Sequence, residues 1–307
     1  MVERGKIRGW LCAALSLVAA SADAAPDLGH KVLGSLGLDA GAQPETGIYV
    51  ANQFLLYAAH DVFDRHGRRL PLALDLDAVS DEIGFSATYE LPRLATYVNV
   101  AVALPLANVT GTSDDVRASV DAFGLADAYV QPLKLGWRLR YLELQTGYAF
   151  YVPTGRFDPG GAGSVSRGAW THELSLGGTL YLGRARSWTL AAVGSYEREA
   201  RKLGIDITRG GTIQIQGGVG KTFARVFELG MVGNALWQVS DDSGPALPAI
   251  LRGARDRAYG LGAELDVAVP EARARVTLRY THELASASRP QGQVLLIGLE
   301  FTPWHVH

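Results

Sequence analysis

The chain has 307 residues, and its 29 basic and 31 acidic side chains leave a net charge of −2. That balance lacks the excess of Lys and Arg with which proteins bind nucleic acid. The only cysteine is Cys12, so neither a disulfide framework nor a cysteine-based metal site can form. After residue 24 no apolar run approaches the roughly 20 residues of a transmembrane helix, which excludes a helical membrane protein.

The chain opens with the pattern of a secretory signal peptide. A basic start, an apolar centre and a small-residue end follow one another: Arg4, Lys6 and Arg8, then 10–20, then Ala22-Asp23-Ala24. The apolar centre is too short to span a bilayer as a helix. We therefore predict a cleaved signal peptide over residues 1–24 and an exported protein; the alternative is a buried helix of a cytosolic protein.

Residues 25–45 precede the first strand pattern. Leu28, Val32 and Leu36 would share one side of a short helix, but several glycines in the same stretch argue against a stable one. We expect this segment to be a periplasmic lead, with a small plug as the alternative.

From residue 46 onward the sequence alternates apolar with polar or small residues, and this period of two indicates β-strands. In the clearest stretch, Ala274, Val276 and Leu278 alternate with arginine and threonine. Turn signals separate twelve such segments, and Pro132 is expected to mark a bulge or a phase change in one of them. The predicted strands are 46–63, 72–91, 96–106, 121–136, 140–153, 170–183, 187–198, 210–222, 226–240, 255–269, 272–284 and 291–303. The predicted fold is all-β, an up-and-down antiparallel transmembrane β-barrel of about twelve strands over residues 46–304.

The connections and the aromatic residues favour a membrane barrel over a soluble β-sandwich. Short turns alternate with longer polar stretches, as periplasmic turns alternate with outer loops in membrane barrels. The longer stretches are 64–71, 106–120, 154–169, 199–209, 241–256 and 283–290. Trp137 and Trp188 lie beside short turns, whereas Trp170 and Trp237 lie near long loops, which resembles two aromatic girdles.

The opposite face of each strand would point into the barrel, and its polar members are the predicted pore-lining residues. These are Glu143, Gln145, Glu173, Gln214, Gln216, Glu264, Asp266, Arg273, Arg275 and Arg279. We expect Glu264 and Asp266 to lie across from Arg273 and Arg275 and to form cross-strand ion pairs. Such pairs either line a selective pore or only neutralise a filled interior. A twelve-strand barrel lies between filled and channel-forming sizes, so a narrow pore is expected.

Signals for catalysis, metal or cofactor are weak. The stretch 218–222 resembles a phosphate loop, but Ile215 stands where that motif needs glycine. His282 lies near Ser286 and Ser288 in sequence, which leaves a lipid hydrolase as a remote alternative. His305 and His307 are expected to be solvated tail residues. We therefore predict no enzyme, no metal and no cofactor.

Several short motifs in order along the chain resemble the outer-membrane family labelled "MetA-pathway of phenol degradation". They are Gly47–Phe54, Gly124–Trp137, Gly147–Asp158, Trp170, Tyr280, Glu283 and Arg289–Gly292. The family's usual Gly-Leu-Gly-Asp has Ala126 at its third position here. The resemblance covers about residues 46–303 and implies an outer-membrane barrel that passes small aromatic or other apolar compounds.

The sequence thus predicts a Gram-negative outer-membrane channel or transporter for small molecules, aromatic or hydrophobic ones among them. The expected partners are outer-membrane lipid, small-molecule solutes and the barrel-assembly machinery, with no nucleic acid. The alternatives are a closed structural or binding barrel and, more remotely, the lipid hydrolase.

Overall fold

The computed structural model describes residues 29–304, apart from 114, 116, 117, 160–162, 184, 185 and 225. The predicted signal peptide and the two C-terminal histidines lie outside these residues. The strands are β1 (Gly47–Val62), β2 (Asp75–Leu91), β3 (Thr96–Ser113), β4 (Ala118–Leu125), β5 (Ala128–Arg138), β6 (Leu142–Val152), β7 (Thr171–Leu182), β8 (Trp188–Glu199), β9 (Thr212–Phe223), β10 (Phe227–Gln238), β11 (Arg257–Val269), β12 (Ala274–Ala287) and β13 (Pro290–Trp304). Three single-turn 3-10 helices accompany them: Pro92–Leu94, Ala249–Leu251 and Pro270–Ala272. Across these residues no helix has the length and apolarity needed to cross a membrane.

Every strand is antiparallel to its neighbours, and the pairing of β1 with β13 closes the sheet into a barrel. β4 pairs with the second half of β3 and β5 with the first half, so β4 and β5 together form one interrupted wall strand. Counted this way, the wall has twelve strands, as the sequence predicts. The bulge at Pro132 is confirmed, because the pairing of β5 with β6 shifts between Val130 and Leu133. Proline has no N–H to give to the ladder.

The outer face of the wall is a band of exposed apolar side chains. Leu176 is 68 % exposed, Met231 55 % and Ile83 47 %. Such a continuous apolar band would be unfavourable in water but is what the hydrocarbon region of a membrane requires of a barrel. The strand alternation that the sequence shows therefore places lipid on one side and a lumen on the other.

The two ends of the barrel differ in their connections. One end carries tight turns, and the other carries the longer loops 63–74, 153–170, 200–211 and 239–256. By the rule for membrane barrels the first end is periplasmic and the second extracellular. Two predicted long loops are wrong. β3 continues to Ser113 and β12 continues to Ala287, because these polar stretches pair as strands beyond the apolar band.

Residues 29–45 run through the inside of the barrel. Leu33, Leu38 and Gln43 are each no more than 3 % exposed. The segment meets β1 at the periplasmic end of the barrel. Its other end, at the first described residue, lies in the extracellular half. The expected periplasmic lead is wrong, and the alternative, a small plug, describes the arrangement. The reason is that side chains of the wall hold the segment inside the barrel. We call residues 29–45 the lumen segment.

Candidate functional site

The lumen segment has no regular hydrogen-bond ladder, so its backbone groups need partners from the wall. Glutamine and glutamate side chains supply them. From wall to segment, the hydrogen bonds join Gln214 to Lys31 (3.0 Å), Gln216 to Gly34 (2.9 Å) and Leu36 (3.2 Å), Glu264 to Leu38 (3.1 Å), Gln145 to Ala40 (2.7 Å), and Glu143 to Gln43 (2.7 Å). The Lys31 ammonium also donates to Glu173. Most of the predicted pore-lining residues therefore face the lumen and contact this segment.

A buried ion pair lies at the centre of these contacts. Nε and Nη2 of Arg279 donate to the two carboxylate oxygens of Glu264 at 2.6 and 3.0 Å. Nη1 of the same guanidinium donates to the carbonyl oxygens of Gly34 (3.2 Å) and Ser35 (2.7 Å). A two-pronged pair of this kind combines strength with fixed geometry. The pair thus joins β11 and β12 to the lumen segment.

A second pair of contacts lies nearer the periplasmic end. Arg275 bridges Asp266 on the wall (2.9 Å) and Asp39 on the segment (2.7 Å). The predicted role of Arg273 is wrong, because it ends the turn after Pro270 in the left-handed region (φ +49°) and is exposed. The turn takes two more residues than expected, so Glu264 lies across from Arg279.

The glycines of the segment allow its close approach to the wall. A Cβ placed on Gly37 would lie 1.6 Å from Oε2 of Glu264 and 2.5 Å from Nε of Arg279. A Cβ on Gly41 would lie 2.1 Å from the backbone of Gly178. Any larger residue at these positions would push the segment off the wall.

The extracellular end of the lumen holds a second set of buried ion pairs that the sequence reasoning missed. Arg167 pairs with Glu199, and Arg209 pairs with both Glu199 (3.8 Å) and Asp256. Their arginines come from loops, where no alternation marks the inner face. The charge of these residues was the only available signal.

His30 ties the segment to this end of the barrel. Its Nε2 lies 2.9 Å from Oδ2 of Asp127, and its ring stacks on Tyr151 with 4.4 Å between centroids. Burial lowers the pKa of His30 below its ordinary value, against the opposing effect of the hydrogen bond to Asp127. When the segment is bound to the wall, or docked, the neutral form of the His30 imidazole is therefore favoured.

The opposite side of the lumen is apolar, which the sequence analysis did not predict. Its buried members come from β1, β2, β3 and β13: Leu55, Tyr57, Ala59, Leu76, Val109, Val294 and Leu296. Val32 of the lumen segment packs against this cluster. We call these seven residues the apolar wall.

A cavity of about 420 Å³ lies between the lumen segment and the apolar wall. Leu55, Ala78 and Val109 line it on one side, and polar groups such as Gln131 and Lys134 line it on another. The volume falls in the range of about 300–1,000 Å³ that is typical of small-molecule sites. The cavity can therefore hold a small molecule with an apolar body and a polar group.

The histidine and serines considered for a hydrolase do not lie together in the structure. His282 is exposed on the outer face of β12, whereas Ser286 is buried on the inner face. A bulge at Leu284 shifts the alternation between them. Ser288 lies in the turn after β12, in the left-handed region (φ +59°).

The closed wall, the apolar outer band and the lumen define the fold of an outer-membrane β-barrel. The structure is similar to the COG4313 outer membrane channel from Pseudomonas putida F1, with a TM-score of 0.74 at 13 % identity over 84 % of this chain and 96 % of that one. It is less similar to the β domain of the Bordetella autotransporter BrkA, with a TM-score of 0.48 at 14 % identity over 84 % and 99 % of the two chains. At 13 % identity the likeness to the channel shows the fold alone.

A family model places the chain more narrowly. The model described as "Putative MetA-pathway of phenol degradation" matches residues 60–297, and the chain belongs to that family. The resemblance read from the short motifs is thereby confirmed. Among proteins of curated function, none matches the sequence.

Proposed function

We propose that this protein is an outer-membrane channel for small molecules with apolar bodies. The observation that carries the proposal is the cavity of about 420 Å³ inside the barrel, lined on one side by Leu55 and Val109 of the apolar wall. Apolar surface on one side and hydrogen-bonding groups on the other suit a compound such as a phenol better than a sugar. The similarity to a solved outer membrane channel agrees with this role.

The lumen segment shares the interior with the cavity, so it belongs to the proposed mechanism. A solute that reaches the cavity from outside must then pass beside the segment or wait for it to move. The segment's many hydrogen bonds make it a slow gate rather than an open path. Small fluxes are therefore expected.

The test is solute entry into liposomes that carry the refolded protein, comparing phenol and benzoate with a pentose. Faster entry of the aromatic compounds supports the proposal. Ala107→Trp would fill the cavity and should abolish that entry. Ala192→Trp, on the exposed outer face of β8, is the matched control and should leave it unchanged. Equal fluxes for all solutes, or a flux that Ala107→Trp does not alter, would contradict the proposal.

The buried ion pairs favour a second candidate, a closed binding barrel. Glu264 and Arg279 are each no more than 4 % exposed and hold the segment in place. A protein shown to be folded and inserted that passes no solute, yet binds phenol at the cavity, would support this candidate over the channel.

A further inference from the structure

The outer surface of the barrel carries basic side chains at the extracellular edge of one side. Arg198 on β8 and Arg257 on β11 are exposed on the lipid-facing side of the wall. His172 on β7 lies directly across from Arg198 and is hydrogen-bonded to the Tyr148 hydroxyl at 2.7 Å. We call His172, Arg198 and Arg257 the basic edge.

The two arginines of the basic edge differ from those of the lumen. Lumen arginines such as Arg209 and Arg279 are paired with carboxylates. Arg198 and Arg257 have no such partner among the described residues. Every carboxylate of β6–β11 lies on the inner face, so the wall itself offers these cations no counter-charge: Glu143, Glu173, Glu197, Glu199, Glu228, Glu264 and Asp266.

Apolar and aromatic side chains lie beside and below the basic edge. Tyr196 precedes Arg198 on the same face of β8, and Trp237 lies directly across from Arg257. Leu174 (59 % exposed) lies across from Tyr196, and Leu176 (68 % exposed) follows it toward the middle of the wall. Cations next to aromatic side chains and an aliphatic band match the order of groups in a lipid with an anionic headgroup.

The strands on the opposite side of the barrel carry exposed carboxylates near the same end. Asp75, Asp77 and Asp121 are exposed on the outer face of β2 and β4, and the His60 imidazole lies 3.4 Å from Asp75. The carboxylates on these strands disfavour an anionic headgroup. The difference argues against a uniform contact with lipid around the barrel.

We propose that the basic edge binds a phosphate-bearing lipid of the outer leaflet, with its phosphates on Arg198 and Arg257 and its acyl chains on the apolar band below. Arg198 and Arg257 are three strand spacings apart, about 14 Å across the strands. Both long side chains can therefore reach one large headgroup. The guanidinium group suits phosphate because its planar donors form paired hydrogen bonds with the oxygens.

The experiment measures lipid binding to the purified, folded full chain in detergent by native mass spectrometry. The probes are bisphosphorylated lipid A, the same lipid after removal of its phosphates, and inorganic pyrophosphate as competitor. The variant is Arg198→Gln with Arg257→Gln. The control is Arg140→Gln with Arg186→Gln, which removes two cations that lie over Tyr141 and Tyr181 at the periplasmic end.

We expect the phosphorylated lipid to bind the parent and the control alike, and the variant about tenfold or more weakly. Equal binding by the variant, or equal binding of the lipid without phosphates, would overturn the proposal. Displacement by pyrophosphate at similar concentration would also overturn it, since the site would then hold a small anion and not a lipid. The substituted side chains are exposed, and an unheated gel would show that the barrel is folded.

Discussion

The two sides of the lumen are built from the same strand alternation but do different things. The side from β5 to β12 presents long polar side chains, which hold the backbone of the lumen segment. The side formed by β1 to β3 and β13 presents the apolar wall, which leaves a cavity. One side therefore fixes the segment, while the other leaves space for a small molecule.

The largest expected effect comes from removing the segment from the polar side. Gly37→Val would place carbon atoms where Glu264 and Arg279 now lie, so the segment should leave the wall. We expect the single-channel conductance in planar bilayers to rise several-fold. Gly84→Ala is the matched control, because its nearest neighbouring atom would lie 3.8 Å away. An unchanged conductance would mean that the segment does not block the lumen.

Breaking the central ion pair should have the next largest effect. Arg279→Met would leave the carboxylate of Glu264 buried and unpaired, at a cost of about 3–5 kcal/mol in the free energy of unfolding. The double variant Arg279→Met with Glu264→Gln should recover much of that loss, because no buried charge remains. Urea unfolding in lipid vesicles, followed by tryptophan fluorescence, measures both. Additive losses in the double variant would argue against a coupled pair.

A polar group in the apolar wall should alter selectivity in a barrel that still folds. Val109→Thr keeps the shape of the side chain but adds a buried hydroxyl, so entry of phenol into liposomes should fall a few-fold while entry of a pentose is maintained. Thr179→Val makes the reverse change on the polar side and should leave the ratio of the two fluxes as it is. If both variants change that ratio equally, the apolar wall has no special role.

The smallest expected effect is a pH dependence from His30. Its pKa is lowered when the segment is docked, so the undocked segment binds the proton more tightly. Docking should therefore weaken as the pH falls through the ordinary histidine value of about 6.5, and the conductance should rise. His30→Gln should flatten this rise below pH 7. A parent conductance that falls on acidification would show the opposite linkage.

The sequence predicted the strands and the polar side of the lumen because polar and apolar residues alternate there. It did not predict the apolar wall, since both faces of β1 and β13 are apolar and alternation cannot separate Leu55 from its neighbour Leu56. The predicted register of β11 and β12 is wrong, because the sequence has no clear signal for a turn that ends on Arg273 in the left-handed region.

The lumen segment shows a further limit. Gly37 is one of the glycines that argue against a helix, but glycine is required there because the side chain of Glu264, more than 200 positions away in the chain, lies so close. Local sequence holds no trace of that neighbour. In the same way, nothing local to Arg167 or Arg209 indicates the carboxylates with which they pair.

The direction of the lumen segment has a consequence for how the protein is made. The segment joins β1 at the periplasmic end, and its described start points toward the cell exterior. A chain running this way can slide into a finished barrel from below, with no need for the wall to close around it. The lumen segment can therefore dock in the last step of assembly, after β1 and β13 have paired and closed the barrel.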